Sequence, residues 1–358
     1  MMGGPAERPA RAGRDGLDEE AQVGVRDRTR VALAMGEAVA ERQFGGGQLD
    51  RLRDDIEVLP GVITDFARPG ARQLLADADI LLTGWSCPRI DGSVLEAAPR
   101  LRAVVHAAGT VKAMLADEVW DSGLLVCSMA ELNALPVAEF VVAMILLENK
   151  RVLPITAEHR RTRRFPAEEV YAGAGNYRKR IGLISASKVG RRVAELLRPF
   201  DLDVVIADPY CGAAEIEALG ATKIELEELF ATSDIVSLHA PLLPQTVGMI
   251  NSGLLARIKD GATFINTARG KIVDHEALTA QARTGRFRVL LDVTDPEPLP
   301  VDSALWDLEN VVITPHLAGS KGAELDRMAD GAISEINRIV AGEEQLFRVP
   351  PERRDLLA

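Results

Sequence analysis

IGLISASKVGRRVAELLRPFDLDVVIADP, residues Ile181 to Pro209, is the stretch whose reading decides the fold. It opens with the apolar run Ile181 to Ile184, passes through the small-residue turn Ser185-Ala186-Ser187 and reaches Gly190. From Lys188 to Arg198 the apolar residues Val189, Val193, Leu196 and Leu197 recur at helical spacing. A second apolar run, Leu202 to Ala207, ends on Asp208. Strand, turn, helix, strand and terminal acid is the layout of a dinucleotide-binding βαβ unit. The free N–H groups and dipole of such a helix N-terminus favour a pyrophosphate. A carboxylate at the end of the second strand accepts from a ribose diol and repels a 2′-phosphate. No Arg follows within Pro209-Tyr210-Cys211-Gly212, which favours NAD over NADP.

The fingerprint is incomplete. Where G-x-G-x-x-G is expected the chain has Ser185-Ala186-Ser187-Lys188-Val189-Gly190, so only the glycine for close helix–strand packing is kept. Serine suits the first two positions if φ stays negative and the hydroxyl fits beside the phosphate. Taken alone, the unit also fits a βαβ element that binds no nucleotide.

Outward from this stretch, the same alternation continues in both directions. Short apolar runs at Val31–Ala34, Ile80–Thr83, Leu101–Val105 and Leu124–Cys127 precede it. Runs at Ile235–Leu238, Thr263–Asn266, Val289–Asp292 and Val311–Thr314 follow it, with helical patterns at Ile224–Phe230 and Ser252–Ile258. Alternation of this kind predicts parallel sheets covered by helices, an α/β fold. The later runs end in polar clusters: His239-Ala240-Pro241, Asn266 to Gly270, Asp292 to Glu297 and Thr314 to Ser320. The strand C-termini are where such a sheet binds ligands, so these clusters are candidate chemistry. The loop His106-Ala107-Ala108-Gly109-Thr110-Val111-Lys112 follows an earlier run. Its small residues leave backbone N–H groups open to a carboxylate.

Length sets two domains, and a net charge of -11 argues against nucleic acid or an anionic membrane as partner. Cys87, Cys127 and Cys211 are odd in number and form no metal-ligand spacing, which fits a reducing cytoplasm. Met1 to about Arg28, rich in Gly, Pro, Arg and acids, reads as a disordered tail with no apolar core of a secretory signal. Asn133–Asn149 is apolar on nearly every side. It is expected to be too short to cross a bilayer, and instead to lie buried between domains or subunits. Arg151–Arg180 is basic and broken by Pro166, Gly173 and Gly175, a connection or a subunit-contacting arm.

Three motifs then make the reading specific. NTARGKIVD (Asn266–Asp274), LDVTDPEPLP (Leu291–Pro300) and ITPHLAGS (Ile313–Ser320) closely resemble the signatures of the D-isomer-specific 2-hydroxyacid dehydrogenases. LEAAPRLR, ALPVAEF and LHAPLLPQT also match, so the resemblance covers roughly Ile80 to Arg338 in order. It implies two Rossmann-like or flavodoxin-like doubly wound domains, with an NAD domain (144–320) inserted in a discontinuous substrate domain (29–143 and 321–358). It also implies a homodimer and an NAD-dependent enzyme interconverting a 2-keto acid and a D-2-hydroxy acid. A chain ending at Ala358 is expected to lack the C-terminal regulatory domain of some phosphoglycerate dehydrogenases.

The resemblance assigns roles residue by residue. His316 matches the acid/base, Glu297 the carboxylate that orients it, and Arg269 the guanidinium that grips the substrate carboxylate. Ser187, Lys188 and Val189 match the pyrophosphate turn, and Asp208 the ribose acceptor. Pro241 and Thr246 match the adenosine side, Thr267 and Asp292 match positions near the nicotinamide, and Gly319 matches a cofactor-binding position. Ala108 and Gly109 match the substrate loop, and no metal is implied. Lys188 either adds charge to the phosphate or faces solvent. The family commonly reads A-G-x-G-x-D-N in its substrate loop, whereas this chain reads Ala107-Ala108-Gly109-Thr110-Val111-Lys112-Ala113. Lys112 there implies a larger or more acidic substrate, or it is solvated. Trp85, in Trp85-Ser86-Cys87-Pro88, either floors an apolar side-chain pocket or packs in the core, and His106 either touches substrate or does not. A binding protein is the competing class, because the C-terminal binding protein corepressors resemble this family and use NAD to set assembly. A further alternative is an enzyme that retains NAD for chemistry with no net redox change.

Overall fold

The computed structural model describes residues 28–356, so residues 1–27 of the expected tail lie outside the described residues. Two parallel sheets carry the chain. The first contains β1 (Thr29–Ala34), β2 (Ile56–Ile63), β3 (Ile80–Thr83), β4 (Ala103–His106) and β5 (Leu125–Ser128), in the order β2-β1-β3-β4-β5. The second contains β6 (Arg180–Ile184), β7 (Asp203–Ala207), β8 (Thr222–Lys223), β9 (Ile235–Leu238), β10 (Thr263–Asn266), β11 (Arg288–Leu291) and β12 (Val311–Ile313). Its order is β12-β11-β10-β9-β6-β7-β8. In each sheet the order reverses once, between β1 and β3 and between β6 and β9, and ligands of such sheets bind at that switch. β3, β4, β9 and β10 are buried at every position. That is why these strands read as continuous apolar runs rather than alternating ones.

The sequence reading misses β2. Its sequence, IEVLPGVI, carries Pro60 and Gly61 mid-strand, and its register against β1 shifts between Val31 and Leu33. β2 is an edge strand, where a residue without an N–H is tolerated.

The helix expected from Asn133 starts at Ala130 and runs 20 residues to Asn149. By length and composition it is long and apolar enough to cross a membrane, which corrects the expectation that it is too short. Packing accounts for its composition. Val137, Ala138, Val141 and Ile145 share a core with β6, β7 and the Lys188–Leu197 helix. Leu132 packs against the first sheet's core. The buried Glu148 accepts from Arg288 Nε at 2.7 Å and from Thr263 Oγ1 at 3.3 Å, tying the helix end to β10 and β11.

After β12 the chain returns to the first sheet. Met328, Ala329, Ala332, Ile333 and Ile336 of the Glu324–Ala341 helix join the core that contains Val31, Val105 and Cys127. Beyond that helix, Ser128 N–H donates to Phe347 O at 3.0 Å. The second sheet is thus an insertion within the first lobe, and the expected boundary at 143/144 falls inside the Ala130–Asn149 helix.

Candidate active site

On the dinucleotide side, the turn after β6 is shaped by two serines in different conformations. Ser185 has φ +80°, the left-handed region that a first fingerprint glycine would adopt freely. The condition of a negative φ is therefore met at Ser187 but not at Ser185. For a non-glycine residue the left-handed conformation costs about 1–2 kcal/mol. A hydrogen bond from its hydroxyl to Asp208 Oδ2, at 3.0 Å, helps hold it in place. Ser187, at φ -65°, caps the Lys188–Leu197 helix and accepts from Gly190 N–H at 3.3 Å. Gly190 itself is required, because a Cβ there would lie 2.1 Å from Ser185 O.

Asp208 is buried and accepts four donors. Ser185 Oγ (3.0 Å) and Ala186 N–H (2.8 Å) reach Oδ2, while Tyr210 N–H (2.7 Å) and Cys211 N–H (3.0 Å) reach Oδ1. Lys188 is paired with Glu131 from the first turn of the Ala130–Asn149 helix. Val189 packs half-buried on the nearby core. Thr246 donates to Pro241 O at 2.7 Å and accepts from Leu243 N–H at 2.8 Å, fixing the loop after β9.

Across the crevice, His316 lies after β12 with φ +50° and an exposed ring. Its Nδ1 is 2.6 Å from Glu297 Oε1. Asp292, 2% exposed at the end of β11, holds the histidine's loop. It accepts from Thr314 Oγ1 (2.6 Å), Leu317 N–H (2.8 Å) and Ala318 N–H (3.1 Å), and its carbonyl accepts from His316 N–H (3.0 Å). Asp292, matched to a position near the nicotinamide, thus also positions His316. Arg269 follows β10, half-buried and within electrostatic range of Glu297. Desolvation lowers its pKa and the Glu297 charge opposes that shift. Gly270 lets this loop approach the next, since a Cβ there would lie 2.0 Å from Thr294 O.

The substrate-side loop is held by its carbonyls. Gln43 Nε2 donates to Ala107 O at 2.5 Å and Ser128 Oγ donates to Gly109 O. Ala108 is fully buried. His106 is buried behind the loop, its Nδ1 2.9 Å from Thr83 Oγ1, and burial pushes its pKa down to about 4. The exposed Lys112 reaches across the crevice and donates to Leu242 O at 3.1 Å. Trp85 is 38% exposed and therefore no core residue. Cys87 beside it is half-buried, its thiol pushed up to about 12.

Sequence reasoning missed Asn133 and Glu131 as crevice residues. Asn133 Oδ1 accepts from Ser320 N–H at 3.1 Å, and its amide flanks both Gly109 and Gly319. One helix turn thus touches the substrate loop, the phosphate turn and the His316 loop. An apolar helix in sequence gives no sign that its first turn faces a crevice.

The donor set fits a dinucleotide. A glycine-tight turn opens a ten-residue helix beside a strand-end carboxylate. Thr267 Oγ1 and both ring nitrogens of His239 are buried without a partner at the ends of β10 and β9, on the same rim. Burial holds His239 neutral, its pKa pushed down to about 3.

Comparison with known proteins agrees with this geometry. Residues 142–318 match the model for the D-isomer specific 2-hydroxyacid dehydrogenase NAD binding domain. The chain is 32% identical over 279 residues to the D-3-phosphoglycerate dehydrogenase of Mycobacterium leprae, covering 77% of this chain and 52% of that one. It spans about half the length of several such relatives. It is 31% identical over 293 residues to the glyoxylate reductase of Korarchaeum cryptofilum, covering 80% of this chain and 86% of that one. The D-lactate dehydrogenase of Aquifex aeolicus, solved with NAD and lactic acid, superimposes with a TM-score of 0.68 at 26% identity, covering 90% of this chain and 99% of that one. The chain belongs to the D-isomer-specific 2-hydroxyacid dehydrogenase family and carries its NAD-binding domain.

Proposed function

We propose that this protein is an oxidoreductase that interconverts a 2-keto acid and a D-2-hydroxy acid. The observation that carries the reading is the 2.6 Å His316–Glu297 pair, on the same rim as Arg269. Bound NAD supplies the hydride donor or acceptor. Ser187, Val189 and the helix N-terminus hold its pyrophosphate side, Asp208 the ribose, and Thr267 and Gly319 line the nicotinamide end. With Nδ1 engaged by Glu297, His316 carries the working proton on Nε2, giving it to the carbonyl oxygen in reduction and taking it back in oxidation. Glu297 fixes the ring and its tautomer. Arg269 grips the substrate carboxylate through its planar fork, with the backbone N–H groups of Ala108 and Gly109 as further donors to it. Asp208 repels a 2′-phosphate, so NAD is the preferred coenzyme.

In this reading residues 29–143 and 321–358 form the substrate domain and 144–320 the NAD domain. A homodimer is supported by the half-exposed apolar residues Leu135, Ala143 and Leu147 of the bridging helix, and by Phe165 and Tyr177, 89% and 66% exposed on the basic arm. The free cysteines Cys87, Cys127 and Cys211 fit a cytoplasmic protein. The test is NADH oxidation against a panel of 2-keto acids. Turnover of at least one acid supports the proposal. NADH binding without turnover of any acid replaces it with a redox-weak dinucleotide sensor of the corepressor kind.

A further inference from the structure

We infer that Ser185 sets the dinucleotide affinity of the crevice by occupying, with its hydroxyl, one oxygen of Asp208 that an adenosine ribose would otherwise claim. A carboxylate offers about four acceptor sites. Asp208 has four donors already, three of them backbone N–H groups fixed by the turns around it. Those three cannot leave without unfolding the turns after β6 and β7. The Ser185 hydroxyl is the one donor that can rotate away.

The position is unusual in a second way. Ser185 sits in the left-handed region at φ +80°, so nothing in the local backbone calls for a side chain there. A glycine would adopt the same turn and leave Oδ2 one donor short, open to the ribose diol. The serine therefore leaves Asp208 fully satisfied before any ribose arrives. Binding of the ribose exchanges an internal hydrogen bond for an external one, where a glycine would allow a gain. The net value of one such bond corresponds to about three- to tenfold in Kd.

The inference rests on the dinucleotide occupying this crevice, and titration separates the two. NADH and NADPH fluorescence titrations would be run on wild type, Ser185→Gly and Ser185→Ala, and on Ser185→Gly combined with Asp208→Asn. Both single variants are expected to bind NADH about three- to tenfold tighter than wild type, with NADPH unchanged because it presents no free 2′-hydroxyl. The gain should vanish in the Asp208→Asn background. Ser185→Gly should also melt at a higher temperature than Ser185→Ala, which keeps the left-handed strain. Unchanged or weaker NADH binding in both single variants overturns the inference, as does equal tightening for NADPH. Tightening in Ser185→Gly alone overturns it too, by assigning the effect to the backbone. Failure of wild type and every variant to bind NADH removes the coenzyme reading itself.

Discussion

The two sides of the crevice are finished to different degrees. On the His316 side, the exposed imidazole pairs with Glu297, and Asp292 holds the loop in place. On the phosphate side the charged groups are already engaged: Asp208 by four internal donors, Lys188 by Glu131. On the proposed reading, the His316 side presents an exposed functional group, whereas the phosphate side would have to exchange partners to bind the coenzyme. Chemistry should be lost sharply when the first side is altered, and affinity should move gently when the second is.

The sharpest break is His316→Ala. General acid–base catalysis contributes about 10²–10⁴-fold, so turnover with the best 2-keto acid should fall by that factor while NADH affinity stays within about twofold. Steady-state kinetics beside fluorescence titration checks both halves, and a variant retaining most of its turnover would end the acid/base assignment. Arg269→Lys comes next. A lysine keeps the charge but loses the planar fork, and a charge-assisted bond of about 1.5–3 kcal/mol translates to about 10- to 100-fold in kcat/KM. An unchanged kcat/KM would place the substrate carboxylate elsewhere.

How much of this was legible in the sequence follows the same divide. Arg269, Glu297 and His316 lie in strand-end motifs that the family resemblance singled out, and the parallel sheets follow from buried runs such as Ile80–Thr83 and Thr263–Asn266. The phosphate side was less legible because its features are conformational. No pattern in SASKVG states that Ser185 takes φ +80° or that its hydroxyl turns to Asp208. Glu131 and Asn133 escaped because long-range pairs are set by how the bridging helix is laid down. β2 escaped because Pro60 and Gly61 read as a loop and only the edge position admits them.

Buried imidazoles sharpen the comparison through pH. His106, behind the substrate loop, and His239, at the phosphate side, are both held neutral by burial, with pKa values pushed down to about 4 and about 3. In the unfolded chain both titrate near 6.5, so below that pH the unfolded state takes up protons that the folded state refuses. Stability is therefore full above about pH 6.5 and falls as the pH drops towards 4. Between pH 7 and pH 5 each histidine accounts for about 2 kcal/mol of that fall. Urea unfolding at the two pH values, for wild type and His106→Asn, should show the variant losing about 2 kcal/mol less. An identical drop in both proteins would mean that His106 is protonated in the folded state.

The gentlest effect should come from Glu131→Gln. Its partner Lys188 stands at the first position of the helix proposed to receive the pyrophosphate, and both side chains of the pair are about half exposed. Such pairs are weak in water, so the coenzyme should draw Lys188 away at little expense, leaving Glu131 as a like charge near the phosphates. Removing that charge should tighten NADH binding about two- to threefold at low ionic strength. Because the interaction is between exposed charges, the gain should fade as salt shortens the screening length from about 10 Å at 0.1 M to about 3 Å at 1 M. Weaker binding in Glu131→Gln would reverse the assignment, making Glu131 the residue that aims Lys188 at the phosphate. The salt axis also separates the two internal partners of this side. The Ser185 hydroxyl acts through a short hydrogen bond at a buried carboxylate, so its effect should persist at high salt where that of Glu131 is gone.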